Sequence, residues 1–223
     1  MGDNSTDEAL KFLNSKGKVP FKNYPKNNTF KRWQSTPQSS GVYYGKPTPE
    51  SMGRFNDPTG NTGICYVAEH AVTAIAESYG RNYQKEKKKG FSYRVSRDSL
   101  DEAHVCTLQA ERELVTVDLC KLQAKLHITT DQLSSDEYGL TQEIVAYFAN
   151  EPKASFDGIS YRSRHMDHGY CVALFERDKE SLRTVAMAPM SEYKDSEYLP
   201  SGWKEPDIDG EEILTEVLDI DVF

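Results

Sequence analysis

An arginine, a tyrosine and a glutamate stand at positions 54, 66 and 77, within the stretch GRFNDPTGNTGICYVAEHAVTAIAESYG that runs from position 53 to position 80. Together they form a coherent chemical set. A guanidinium is a planar fork suited to phosphate or pyrophosphate, a phenol ring can stack, and a carboxylate can face developing positive charge. A site that cuts a nucleotide at its glycosidic bond needs all three. If the bond joins nicotinamide to ribose, the leaving group is already a pyridinium cation and departs as a neutral base without an acid. The ribose carbon then passes through an oxocarbenium-like state, which a fixed carboxylate stabilises. A later stretch, FDGISYRSRHMDHGYCVALF at 156–175, adds Tyr161 and Ser163. The serine can hold the carboxylate or the ribose without acting as a nucleophile.

A turn, a strand and a helix must position these groups. Asn56-Asp57-Pro58-Thr59-Gly60 is a strong turn. Residues 63–68, GICYVA, read as a buried strand carrying Tyr66. Residues 69–79 read as a helix whose Val72, Ile75, Ala76 and Tyr79 form the buried stripe. Glu77 lies off the centre of that stripe and is free to enter a cleft. Residues 81–90, RNYQKEKKKG, read as a basic exposed loop.

The remaining segments support these parts. Residues 1–29 read as a polar arm, and TFKRWQ (29–34) as the first strand. Residues 35–52, with Pro37, Gly41, Gly45, Pro47 and Pro49, read as loop. The runs at 105–108 and 114–119 look like two strands of a hairpin, with Val115, Val117 and Leu119 alternating. Ser134 or Ser135 is a candidate cap for a helix at 141–149, with Ile144, Val145 and Phe148 on one face and Pro152 as its stop. Residues 159–161 and 171–175 read as two further strands. In the last segment, EEILTEVLDIDVF, Ile213, Leu214, Val217 and Leu218 fall at helical spacing. Strands with a few segregated helices argue an α+β fold rather than a doubly wound sheet.

Composition narrows the function classes. The chain has 223 residues and a formal charge of -8. Residues 191–223 hold eleven acidic and two basic residues, so the body is near neutral and the tail acidic. A nucleic-acid surface is therefore disfavoured. No apolar run approaches the ~20 residues of a membrane span, and the first residues lack the pattern of a secretory signal. Cys65, Cys106, Cys120 and Cys171 show no CxxC spacing, and a reduced cytoplasmic setting is expected. His165 and His168 lack a helix frame and cysteine partners at ligand spacing, so no metal site is expected. Ser163 sits in YRSRH rather than GxSxG, which argues against a serine hydrolase. The absence of GxGxxG disfavours NAD held as a redox cofactor in a Rossmann fold.

The order Gly-Arg-Phe, turn, strand with Tyr66, helix with Glu77, and later Asp-Gly-Ile-x-Tyr-x-Ser resembles the RES domain family, named for its Arg, Glu and Ser. The stretch VTVDLCKLQAKLHITTDQLSSDEYGLTQEIVAYF resembles the family's middle section. The resemblance runs from about residue 30 to about residue 175. It implies an ADP-ribosyltransferase-like mixed sheet with flanking helices and a toxin that destroys NAD+ by hydrolysis or phosphorolysis. NAD+ would be substrate, with no cofactor. It places the catalytic residues at Arg54, Glu77 and Ser163, and substrate-binding residues at Arg32, Tyr66 and Tyr161. Arg32 and Arg54 would serve the phosphates or orient the acid, Tyr66 would contact or stack on the nicotinamide side, and Glu77 would face the nicotinamide ribose. The resemblance further implies a protein antitoxin or immunity partner and, by analogy, a homodimer. A catalytic unit at 30–190 would carry an acidic extension at 191–223, whose apolar stripe could dock on the domain or on the antitoxin. Two alternatives stand beside this reading: a mono-ADP-ribosyltransferase modifying a protein, and a non-catalytic nucleotide-binding module. No second glutamate stands two positions from Glu77, which leans away from transfer to protein.

Overall fold

The computed structural model describes residues 3–46, 48–151, 155–166, 169–177 and 180–223. Pro47, Pro152 and His168 lie outside the described residues. The elements run α1 (Asp3–Ser15), β1 (Phe21–Tyr24), β2 (Thr29–Gln34), β3 (Ile64–Ala68), α2 (Ala71–Lys88), β4 (Arg94–Val95), α3 (Arg97–Glu102), β5 (His104–Ala110) and β6 (Leu114–Asp118). They continue with α4 (Leu119–Lys125), α5 (Thr130–Ser134), α6 (Gly139–Asn150), β7 (Gly158–Arg162), β8 (Tyr170–Phe175) and β9 (Leu182–Pro189). The last are β10 (Lys194–Asp195), β11 (Ile208–Asp209), α7 (Gly210–Glu212), a π-helical turn at Ile213–Val217, and β12 (Asp221–Val222). The fold is α+β, as expected.

An eight-stranded mixed sheet in the order β1-β6-β7-β8-β3-β2-β5-β9 forms the framework. Its central strands are buried on both faces, which is why they read as unbroken apolar runs. On β3, Ile64, Tyr66 and Ala68 face one core with α4 and α6, while Cys65 and Val67 face another formed by the strands themselves. The same alternation splits β8: Cys171, Ala173 and Phe175 join the first core, Val172 and Leu174 the second. A third core lies between α2 and the C-terminal segment.

One irregularity makes room for a site. β2 and β3 are neighbours but pair at a single register, Lys31 with Ala68. β2 is otherwise zipped to β5 over six pairs, and β3 to β8 over five. Past Lys31 the two strands part, and a cleft opens between them.

Several sequence expectations are corrected. The segment read as an arm holds α1 and β1: Leu10 and Leu13 are buried in the first core, and β1 is the sheet's edge on β6. TFKRWQ is therefore the second strand. The supposed loop at 81–90 is helix as far as Lys88. Arg, Gln, Glu and Lys are good helix formers, and no glycine or proline intervenes between Arg81 and Gly90. β5 and β6 are not a hairpin: β5 pairs with β2 and β9, while β6 pairs with β1 and, in parallel, β7. Alternation identifies a strand but not its partner. Neither Ser134 nor Ser135 caps α6, which Tyr138 precedes without a side-chain cap. Of the two outcomes left open for the apolar stripe of the acidic extension, docking on the domain is the one seen: Ile208, Ile213, Leu214 and Ile220 are at most 2% exposed, and Arg97 makes a two-pronged contact of 2.7 Å per arm with Glu211. Cys65, Cys106 and Cys171 are buried free thiols. No helix among the described residues is long and apolar enough to cross a membrane.

Candidate active site

The cleft between the parted strands has a volume of about 820 Å³, within the range of pockets for small molecules and cofactors. β2 contributes Arg32 and Trp33, β3 contributes Tyr66, and β7 contributes Tyr161. One face of α2 supplies the opposite wall. Ala74, Glu77, Ser78, Arg81 and Asn82 all line it, at the i, i+3, i+4, i+7, i+8 spacing of a helical stripe.

Glu77 is fixed through one oxygen. Its Oε1 accepts from the Ser163 hydroxyl at 2.7 Å and from the Arg164 backbone N–H at 3.1 Å. The Ser163 Oγ in turn accepts from the backbone N–H groups of His165 (3.1 Å) and Met166 (3.0 Å). Two incoming donors occupy the oxygen's acceptor positions, so its single proton points to Glu77. Ser163 therefore stands behind the carboxylate and holds it, rather than facing the cleft as an attacking group. The serine belongs to the β7–β8 connection, which is pinned where the Ser163 N–H donates to the Gly169 carbonyl at 2.8 Å. Among the described residues, no hydrogen bond uses Glu77 Oε2.

Arg54 lies over two packed rings that are tilted 34° to each other. Its guanidinium carbon is 4.7 Å from the Phe55 ring centre and 5.1 Å from that of Tyr161, while the rings themselves are 4.0 Å apart. It donates to the Leu133 carbonyl at 3.3 Å. Among the described residues it forms no ion pair with a carboxylate, and its one hydrogen bond is that to Leu133. Most of its donors thus remain for a ligand. Arg32 donates to the Tyr43 carbonyl at 2.8 Å and to Cys65 Sγ at 3.2 Å.

Tyr66 lines the cleft and builds its rim. Its hydroxyl accepts from the Phe55 N–H at 3.2 Å and donates to Asn56 Oδ1 at 3.2 Å, and that oxygen also receives the Gly53 N–H at 2.6 Å. Desolvation pushes its phenol well above the ordinary tyrosine value, so it stays neutral. Burial does the same to Tyr161. Cys171, beneath them, is pushed up by burial and by the charge of Glu77, which keeps it a thiol.

Two further residues close the site. His165 lines the cleft, and burial depresses its pKa, with Arg164 and Arg54 adding to that effect and Glu77 opposing it. Arg164 anchors the α5–α6 connection, donating to the Ser134 carbonyl (3.2 Å) and the Tyr138 hydroxyl (3.4 Å) and pairing with Asp136 at 3.6 Å. Lys88 pairs with the same Asp136.

All six residues singled out in the sequence meet here: five line the cleft, and Ser163 backs the acid. Sequence reasoning missed Arg81, Arg164, Asn56 and Tyr138. Only Arg81 carried a readable signal, its i+4 spacing from Glu77. Among the described residues the cleft is lined by six basic side chains and two acidic ones, within a chain of net charge -8. That inversion favours an anionic ligand. A family model described as the RES domain matches residues 25–196 of the 223, a span that includes all six residues. No curated protein matches the chain.

Proposed function

The chain belongs to the RES domain family, generally linked to NAD-related toxin function, and on that premise we propose that it cleaves the nicotinamide–ribose bond of NAD+. The observation that carries this reading is the immobilised Glu77 carboxylate beside basic groups in one cleft. The substrate's phosphates engage the arginines, and its nicotinamide ribose lies against Glu77. As the pyridinium leaves, positive charge spreads over the ribose C1′ and ring oxygen. Glu77 faces that charge without reorganising, because Ser163 and the Arg164 N–H already hold it. The leaving base carries away the bonding electron pair and needs no proton. Water or inorganic phosphate then attacks C1′, giving ADP-ribose or its 1-phosphate.

Ser163 acts through Glu77 and is a positioning residue. Tyr66 and Tyr161 shape the wall, one by holding the 53–56 loop and the other by carrying Arg54. An enzyme that drains NAD+ must be restrained in its producer cell, so a protein antitoxin or immunity partner belongs to the same reading, with the cytoplasm as site of action.

Incubation of purified protein with NAD+, with and without phosphate, tests the proposal. Free nicotinamide with ADP-ribose establishes hydrolysis, and the 1-phosphorylated product establishes phosphorolysis. Label retained on protein would redirect the assignment to transfer. Unchanged NAD+ would leave only a binding module.

A further inference from the structure

We propose that Arg81 binds the phosphate attached to the ribose that faces Glu77, and so makes the site selective for phosphorylated nucleotides. This rests on the reading of the cleft as a nucleotide site. On α2 the two residues are four apart, hence neighbours on one face about 6 Å apart along the axis. That is of the order of one ribose, the unit separating the scissile carbon from its phosphate.

A glutamate four residues before an arginine on a helix is within reach of an ion pair with it. Here none forms. Ser163 and the Arg164 N–H hold Glu77, and among the described residues no ion pair or hydrogen bond engages the Arg81 side chain. Among the described residues the Arg81 guanidinium thus has no counter-charge, and it lines the cleft while staying exposed to solvent. Its charge reaches inward far enough to act on the Tyr66 hydroxyl. A neighbouring cation, Lys87, differs: its Nζ lies 5.5 Å from the Tyr83 ring and it does not line the cleft. Arg81 therefore owes its role to helical phase, not to membership of a basic run. Exposure to solvent suits a residue that meets the substrate on entry, and a guanidinium takes two phosphate oxygens at once.

Calorimetric titration with inorganic pyrophosphate tests this without turnover. Wild-type protein is expected to bind, Arg81→Gln to bind at least tenfold more weakly, and Lys87→Gln to stay within twofold of wild type. With NAD+ as substrate, Arg81→Gln is expected to raise KM at least tenfold and change kcat less than threefold. Equal affinity in Arg81→Gln and wild type, no binding by wild type, or equal weakening in Lys87→Gln overturns the assignment. Arg81-dependent pyrophosphate binding without NAD+ cleavage keeps it and defeats the glycosidic reading. NAD+ cleavage with Arg81→Gln unchanged in both assays does the reverse.

Discussion

The Ser163 hydroxyl and the Glu77 carboxylate meet at 2.7 Å although 86 residues separate them in the chain. The contact is directional, because the serine oxygen is already filled by two backbone donors. Glu77→Gln keeps size and polarity but removes the charge that faces the oxocarbenium ion. It is expected to lower kcat about 100- to 1000-fold, the range for losing one preorganised electrostatic group. Ser163→Ala leaves the acid charged but less well held, with an expected loss of about tenfold. Circular dichroism should show both variants folded.

Gly80 is the close-packing point between α2 and the loop that carries Ser163. A Cβ at this position would lie 2.7 Å from His165 Nδ1 and 2.8 Å from its Cγ. Alanine favours helix over glycine by about 1 kcal/mol, but here the His165 side chain must give way from its Cβ outward, next to the backbone N–H that donates to Ser163. Gly80→Ala is expected to lose about tenfold in kcat, and adding His165→Ala to regain thermal stability together with part of the lost rate, because the ring that clashes is gone and the backbone N–H that holds Ser163 remains. A fully active Gly80→Ala protein would show that the loop gives way freely.

His165 sets a pH dependence. Burial keeps its folded pKa below the ordinary value of about 6.5. As the pH falls below that value, the unfolded chain takes up a proton that the folded protein resists. Stability must therefore decline with acidification and recover as the pH rises. Denaturant melts between pH 7 and pH 5 should show a steeper loss in the wild type than in His165→Asn. Parallel curves would mean that the imidazole titrates normally.

The docked C-terminal segment contributes to stability. Leu214 is fully buried in the core against α2, and Leu214→Ala should cost about 2–5 kcal/mol, read as a lowered urea midpoint. A change below 0.5 kcal/mol would mean that the segment is not held there in solution.

Much of the site was legible because its residues sit where local rules suffice. Glu77 follows from the phase of the α2 stripe, Tyr66 from its ring on a short apolar strand and its place in the family motif, and the turn before them from Asn56-Asp57-Pro58-Thr59-Gly60. The opening of the cleft was not legible, since it depends on β2 and β3 parting after one pair, a non-local event. Arg81 was hidden for a different reason. The stretch from Arg81 to Gly90 reads as a solvated basic loop, yet it is helix as far as Lys88, and its first residues carry the cleft stripe on to Arg81 and Asn82. Likewise, β5 and β6 are three residues apart and looked like partners, but each found its neighbours across the sheet. Ile213 and Leu214 showed helical spacing without revealing that α2 would cover them.

Nicotinamide release from NAD+ by wild-type protein and by folded Glu77→Gln, assayed side by side, tests the central claim most directly. The account predicts steady release by the wild type and a loss of at least 100-fold in the variant. Equal release by both proteins would contradict it.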